Sequence, residues 1–370
     1  MTRIVFVGDD PKARQFVEAL RQYGRDAEAW GTYPFTAWKH LLARRGVSRG
    51  DVIVIRYLND NPSWFVSIGK PFGDVLTLLV ARVRGIRVYW LCHNLDRETE
   101  SYWPLISSLR RWLYARQAEA IAITDPALMA AAPAVFGRHR HKVFPMSMGL
   151  LPKRRRFNKP ELEEQVRNFF GRDPACKHQL NILCAGVSGP KYLHFDLLPV
   201  LEERLRQLGW SPRIAVVTRF LRKGEWSRGK NYRSFIDWCE KTPSVLLVKR
   251  YIDLDESEWT DDVDLIWRAM GDWSFAFTLL NAARARIPVL AFDSGGVGAI
   301  VRQEKIGATV AWDFSNLGEA VQTALRTPSE NYETFLAQRS WSKAAQSISD
   351  AIDHGGAKTP LAEASRSLES

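Results

Sequence analysis

What most constrains this chain is a rhythm of short, β-type apolar runs separated by helical periodicity. Ile4–Val7, Asp51–Arg56, Arg87–Cys92, Ala120–Thr124 and His141–Phe144 are the runs of the first half, patterned as strands buried on both faces. Between them lie Pro11–Tyr23, where Phe16, Leu20 and Tyr23 recur at helical spacing, then Phe72–Arg84, apolar nearly all round, and Tyr102–Gln117. Strands alternating with helices predict a parallel, doubly wound sheet.

The stretch Leu150–Gln179 breaks the rhythm with Lys153-Arg154-Arg155-Arg156, a polar helix over Lys159–Phe170 and a Pro/Cys/Lys segment, which is the composition of an interdomain linker. The alternation then resumes. Strands are expected at Asn181–Gly186, Arg213–Thr218, Ser244–Val248, Val263–Ala269 and Pro288–Phe292, and helices at His194–Leu208, Tyr232–Glu240, Thr278–Ala285, Val297–Gln303 and Leu317–Ala324. At 370 residues, and with roughly 150 residues to a domain, two domains are expected. Their boundaries are a first domain over 1–150, a linker over 151–179, a second domain over 180–335, a C-terminal helix over 336–353 that crosses back to the first domain, and a polar tail over 354–370. Two such domains facing each other across a cleft are the expected architecture, and open parallel sheets take ligands at the carboxyl ends of their strands.

Hydrophobic residues make up 46% of the chain and charged ones 25%, which excludes a disordered or collagen-like polymer. Runs such as Val75–Ala81 and Ala127–Val135 are too short to span a bilayer, and Met1–Val7 reads as a strand rather than a signal peptide. Cys92, Cys176, Cys184 and Cys239 have no CxxC spacing, so reduced thiols and a cytoplasmic location are expected. The net charge of +11 is unevenly placed: residues 1–160 hold 26 Lys+Arg against 13 Asp+Glu, and the remainder 26 against 28. A basic first half points to a polyanionic surface met by that half alone.

No P-loop, GxGxxG, HExxH or nucleophile elbow occurs, and the seven His are scattered, so no metal or other cofactor is expected. Gly8 is followed by Asp9-Asp10, and carboxylates at a helix start repel a pyrophosphate, which disfavours a dinucleotide dehydrogenase. Three segments carry chemistry. Just past the Arg87–Cys92 strand stand His93, Asn94, Asp96, Glu98 and Glu100, groups able to take a proton from a hydroxyl or merely to start the next helix. Gly271–Gly296 runs through a loop, a helix start near Phe277-Thr278, a strand and a Gly pair; the helix start offers N–H groups to a diphosphate, although on spacing alone ordinary β–α–β packing, with Leu279, Leu280 and Ala283 as core, explains it better. Tyr102–Tyr114 mixes Trp103, Leu105, Leu109 and Trp112 with Arg110 and Arg111, which fits a headgroup interface or a core helix with a basic face. Arg44, Arg45 and the Lys153–Arg156 cluster add to that basic face.

The order of these segments resembles the GT-B glycosyltransferases, and more narrowly bacterial exopolysaccharide transferases of the xanthan-type β-mannosyltransferase kind. His93-Asn94 with Glu98 and Glu100 resembles their HNxxxHE segment, and Thr278-Leu279-Leu280 with Pro288-Val289-Leu290-Ala291 resembles their TLLLA and PVLA block. Gly186-Val187-Ser188-Gly189-Pro190-Lys191 resembles the start of their second domain. The departures are specific. Thr99 stands where the second acid of HNxxxHE belongs, and Trp273 and Asn281 occupy the positions of the Glu-x7-Glu pair of retaining enzymes.

The resemblance implies two Rossmann-like domains (GT-B) and transfer of a sugar from a nucleoside diphosphate sugar to a lipid-linked saccharide at the inner membrane's cytoplasmic face. Such transfer is expected to invert, because the Glu pair is missing, and to need no metal. The proton acceptor is expected among His93, Asp96 and Glu98. Lys191, Arg219, Arg268, Thr278 and Asn281 are the expected donor contacts, with Arg222 and Lys223 as further cations and the nucleobase near Lys249–Tyr251, Tyr251 included. Trp103, Arg110, Arg111 and Trp112 would meet the acceptor or an anionic membrane. Rival readings are a sugar-nucleotide epimerase or phosphorylase-like enzyme, a degenerate GT-B subunit that binds a partner transferase or the membrane, and a nucleic-acid binder. The last lacks any reading motif, so no nucleic-acid partner is expected.

Overall fold

The computed structural model describes residues 2–43, 46–96, 98, 102–152, 160–188, 194–220, 232–249 and 260–355, with the side chains at 186–188, 195, 219–220 and 232–233 excepted. The chain divides into two compact units, one of Met1–Leu151, Trp273–Phe275 and Gln338–Ser370, the other of Pro152–Asp272 and Ala276–Ala337.

In chain order the first unit runs β1 (Arg3–Val7), α1 (Pro11–Gln22), β2 (Asp26–Trp30), α2 (Ala37–Leu42), β3 (Val52–Arg56), α3 (Trp64–Val83), β4 (Arg87–Cys92), α4 (Pro104–Gln117), β5 (Ala120–Ile123), α5 (Ala132–Phe136) and β6 (Val143–Pro145). All six strands are parallel, in the order β2-β1-β3-β4-β5-β6. Ile4, Val5 and Phe6 of β1 and Val52, Ile53 and Ile55 of β3 are fully buried, as β-branched runs covered by helices on both faces must be. The order turns at the β1/β3 pair, where the connections leave in opposite directions and the loops part. Asp10 caps α1 by accepting from the Lys12 and Ala13 amides at 2.8 and 3.0 Å.

The second unit contains α6 (Pro160–Phe170), β7 (Gln179–Ser188), α7 (Leu198–Gln207), β8 (Ser211–Phe220), α8 (Tyr232–Lys241), β9 (Val245–Val248), β10 (Leu265–Arg268), α9 (Phe277–Arg284), β11 (Val289–Phe292), α10 (Gly295–Glu304), β12 (Gly307–Val310), α11 (Leu317–Leu325) and most of α12 (Ser329–Gln338). Its sheet is again all parallel, ordered β12-β11-β10-β7-β8-β9, with its turning point between β7 and β10. The helix expected in a linker is built into this unit as α6. Arg213 donates to the Phe169 and Gly171 carbonyls, and Asn181 donates to the Phe170 carbonyl, which buries Val166 and Phe170 completely.

The last helix, α13 (Trp341–Asp353), packs on α1 in the first unit, with Trp341 edge-on to Phe16. Arg339, 4% exposed, donates to the fully buried Asp125 at 2.7 Å, and Tyr89 donates to the Ala351 carbonyl. Three differences from the sequence reading matter. β2, α2, α5, β12 and α12 escaped it, and of these β2 (Asp26–Trp30, DAEAW) and β12 (Gly307–Val310) are edge strands without long apolar runs. The expected helix over Phe72–Arg84 starts eight residues earlier and passes through Pro71. Arg110 is not on a basic surface: it is 1% exposed and paired with the fully buried Asp74 at 2.5 Å, because its own helix turns that face inward.

Removing one partner of a buried pair strands the other's charge, at about 3–5 kcal/mol. Arg339→Ala should therefore lower unfolding stability by about that amount in urea titration, and an exposed control such as Arg286→Ala by about 0.5 kcal/mol or less.

Candidate functional site

Both turning points carry polar groups at the carboxyl ends of their strands. In the first unit, β1, β3 and β4 are neighbours, so their carboxyl ends gather Asp9, Asp10 and Lys12, then Arg56 and Tyr57, then His93 and Asn94. Arg56 is fully buried and pairs with Asp10 at 3.2 Å, and its guanidinium lies 4.8 Å from the Tyr57 ring centre. The Tyr57 ring stacks on His93 at 4.4 Å and 11°, and Lys12 lies over the Tyr57 ring at 5.8 Å. Tyr57 holds φ at +47°, a left-handed conformation that a bulky aromatic residue adopts only under constraint from its surroundings. Burial, reinforced by Arg56, pulls the Lys12 ammonium down to about 8, against the opposing pull of Asp10. A buried, destabilised cation at a strand end is suited to an anion, which would offset the cost of burying its charge.

The residues of the expected proton acceptor are brought to one loop but differ in surroundings. His93, 9% exposed, follows β4 directly. Glu98 is buried, and Arg111 donates to its Oε1 at 2.7 Å while the Leu58 amide donates to its Oε2 at 3.3 Å. Arg111 also donates to the carbonyls of Asn94 and Leu95, so it fastens the loop rather than facing a membrane, a correction to the role expected for it. Asp96 is exposed, beside a cavity of about 330 Å³ lined by Trp90, Arg111, Trp112, Phe136 and His139. Asn94 pairs antiparallel with Ser274, and the Leu95 amide donates to the Trp273 carbonyl. Burial pushes the Cys92 thiol up to about 11, which removes it as a nucleophile near neutral pH. Trp103 donates its indole N–H to the Asn61 carbonyl and lies edge-on to Trp64; Trp112 is 49% exposed.

In the second unit, Arg268 ends β10 beside β7. It is 5% exposed and donates across the turning point to the Ala185 carbonyl at 2.6 Å. The chain then enters α9, whose N-cap residue Ala276 has no side-chain acceptor of its own. Thr278 and Asn281, both partly buried, stand one turn apart on this helix. The next turn, at the end of β11, is cut to glycine. A Cβ on Gly295 (φ +64°) would lie 2.7 Å from the Asp272 carbonyl oxygen, and one on Gly298 2.2 Å from that of Phe292. Trp312, past β12, stacks on Phe292 at 4.0 Å and takes the His194 ring edge-on. Lys191 and Tyr251, with Arg222 and Lys223, lie outside the described residues, as does the side chain of Arg219. Lys249 donates to Glu240 beside a cavity of about 470 Å³ at the β9 edge.

Sequence reasoning missed Lys12, Arg56 and Tyr57 in the first unit and His194 and Trp312 in the second. Their one signal is position immediately after an apolar run, which Arg56-Tyr57 displays and which the charged Asp9-Asp10 pair overshadowed. Among the described residues no group of three or more His, Cys, Asp or Glu side chains gathers to hold a metal.

No protein-family model matches the sequence, and no curated protein matches it. Solved structures do match in fold. A sucrose-phosphate synthase from Thermosynechococcus elongatus superposes with a TM-score of 0.65 at 14% identity, over 96% of this chain and 99% of that one. The catalytic domain of starch synthase IV from Arabidopsis thaliana, bound to ADP and acarbose, superposes at 0.59 and 11% identity, over 97% and 100%. A glycosyltransferase from Rickettsia africae ESF-5 superposes at 0.51 and 11% identity, over 97% and 99%. The chain therefore has the GT-B fold, two Rossmann-like domains in succession.

The Lys12 amine sets a sign that can be checked. Its folded value near 8 lies below the 10.5 of an exposed lysine, so the unfolded chain holds the extra proton between those values and stability rises with pH across that window. Lys12→Met should stabilise the protein at pH 7, and its advantage over wild type should shrink between pH 8 and 10.5 in urea denaturation.

Proposed function

We propose that this protein is a glycosyltransferase that moves a sugar from a nucleoside diphosphate sugar to a hydroxyl of a lipid-linked saccharide, in bacterial exopolysaccharide or cell-surface polysaccharide synthesis. The observation that carries the reading is the second unit's turning point. There Arg268, the start of α9 with Thr278 and Asn281, and the Gly295–Gly298 turn meet the end of an open parallel sheet. Ligands of such sheets bind at the turning point, and helix N-termini with a nearby cation suit a diphosphate. The GT-B fold and the likeness of the His93-Asn94 and Thr278–Ala291 segments to xanthan-type transferases support the same reading.

In this reading the acceptor hydroxyl attacks the anomeric carbon as the bond to the diphosphate breaks, with inversion and without a metal. The hydroxyl proton goes to His93 or Asp96, and the diphosphate leaves with the bonding pair. Negative charge growing on that leaving group is offset by Arg268 and the α9 N–H groups. Glu98, held by Arg111 and the Leu58 amide, keeps the loop of His93 and Asp96 in place. The enzyme would work in the cytoplasm, peripherally on the inner membrane. A second reading, a catalytically degenerate subunit that binds a partner transferase or the membrane, draws on Trp273 and Asn281 in place of the paired acids and on the anchored state of Glu98.

Thermal unfolding with UDP, GDP, dTDP or CMP, and then with matching sugar nucleotides, tests the donor site. One nucleotide at a hundred times its Kd should add about 2.7 kcal/mol of stability, and Arg268→Ala should weaken that response. No stabilisation by any of them removes the transferase reading in favour of the subunit. His93→Ala should keep the nucleotide response and, if His93 is the proton acceptor, slow transfer by about 10²–10⁴-fold; Asp96→Ala would show that loss instead if the proton goes there.

A further inference from the structure

A helix on a water-soluble surface turns its apolar side inward, and α3 does the reverse. Its inner face carries Ser67, Lys70, Asp74 and Thr77, all buried, with Leu78 and Ala81 joining the core near its C-terminal end, while Phe65 is 85% exposed, Phe72 69%, Leu79 53% and Val83 79%. The inversion is locked. Ser67 donates to the Asn61 carbonyl, Lys70 to the Asn59 carbonyl and Thr77 to the Pro34 carbonyl, while Asp74 accepts from Arg110 and Tyr114. Rolling the helix over would part these groups from their partners and deprive the buried Arg110 and Tyr114 of the Asp74 carboxylate. The neighbouring α4 repeats the pattern: Arg110 and Tyr114 point inward, and Leu105 (87%), Leu109 (47%) and Trp112 (49%) point out. Monomeric soluble proteins rarely present a contiguous apolar surface of this kind without a use for it.

Charge identifies what covers it. Between Asn61 and Leu95 the one carboxylate is Asp74, which is fully buried, and α4 contains none. The exposed charges on the two helices are the cations Arg82 and Arg116, in a half of the chain with 26 basic and 13 acidic residues. An apolar face whose own two helices expose cations and no carboxylate, with Asp96 at the Trp112 end, is complementary to the anionic headgroups and acyl chains of a bilayer, and it disfavours a second copy of itself. Topology sets the mode. α3 is 20 residues long, and an 18-residue window of it has a mean hydropathy of 1.3, enough for a spanning helix, but β3 and β4 on either side of it pair in one sheet and its inner face packs on the unit. The helix can therefore lie in the plane of a membrane surface but cannot cross it.

We propose that the outer faces of α3 and α4 form a membrane-docking surface that seats the first unit in the headgroup region of an anionic leaflet, with Phe65, Phe72 and Leu79 inserted. The proposal deepens the lipid-linked reading, on which its purpose rests, by naming the surface; its test does not need turnover.

The full chain is floated with vesicles of phosphatidylglycerol and phosphatidylethanolamine, and separately with phosphatidylcholine alone. Wild type should float with the anionic vesicles and at least tenfold less with phosphatidylcholine. The triple variant Phe65→Ser, Phe72→Ser, Leu79→Ser should lose at least tenfold in anionic-vesicle affinity with its thermal midpoint kept, and Leu208→Ser in the second unit should change nothing. Slower amide exchange in α3 on wild type with vesicles gives the same answer without a substitution. Absence of flotation, equal binding to both lipids, unchanged binding by the triple variant, or a wild-type dimer that the variant dissociates would overturn it. Nucleotide stabilisation measured on the same preparations separates the two readings: stabilisation without flotation removes only the docking surface, and flotation without stabilisation removes only the transferase.

Discussion

Parallel pairing is the constraint on which the rest of this molecule depends. Because every strand in each sheet runs the same way, every strand-to-helix loop leaves at one edge, and the polar residues that interrupt apolar runs collect there. Within that edge only the turning point has loops that part, which makes room for a ligand. In the first unit it falls at β1/β3, where Asp10, Lys12, Arg56 and Tyr57 interlock. In the second it falls at β7/β10, where Arg268 reaches Ala185. The chemistry proposed for this chain is a consequence of where those two reversals occur.

The buried strands were readable because nothing but a doubly covered strand explains DVIVIR or RVYWLC, and their limits moved by only a residue or two. Edge strands were not readable. Asp26–Trp30 alternates charge with alanine because one side of it is unpaired, and its sequence resembles a turn as much as a strand. Strand order is another property that local patterning does not carry, and with it went Lys12, Arg56 and Tyr57, whose significance lies in adjacency across the sheet. Arg110 and Arg111 show the same limit. On the helical pattern both belong to a basic face, yet Asp74, 36 residues away, and Glu98, on the preceding loop, turn them into interior ion pairs.

Those ion pairs also explain how α3 and α4 tolerate their orientation. A buried Asp74–Arg110 pair contributes little net stability compared with an apolar contact of the same size, but breaking it is expensive, so it specifies orientation more than it strengthens the fold. It leaves the apolar side chains of both helices outside. A soluble domain has no reason of stability to accept such an arrangement, and a domain that works against lipid does. The same unit, with 25 basic against 17 acidic residues, carries the interlocked cluster at β1/β3, while the second unit, with 27 against 24, carries the groups suited to a diphosphate.

The central claim is that this fold cleaves a sugar nucleotide. Its most direct test is release of nucleoside diphosphate from a panel of UDP-, GDP-, ADP- and dTDP-sugars, followed by phosphorus NMR with purified protein and no added acceptor, where water takes the place of the acceptor hydroxyl. The account predicts slow release from sugars of one nucleotide, reduced by Arg268→Ala. Intact sugar nucleotides across the whole panel with folded protein, both without acceptor and after membrane lipid extract is added as one, would contradict it.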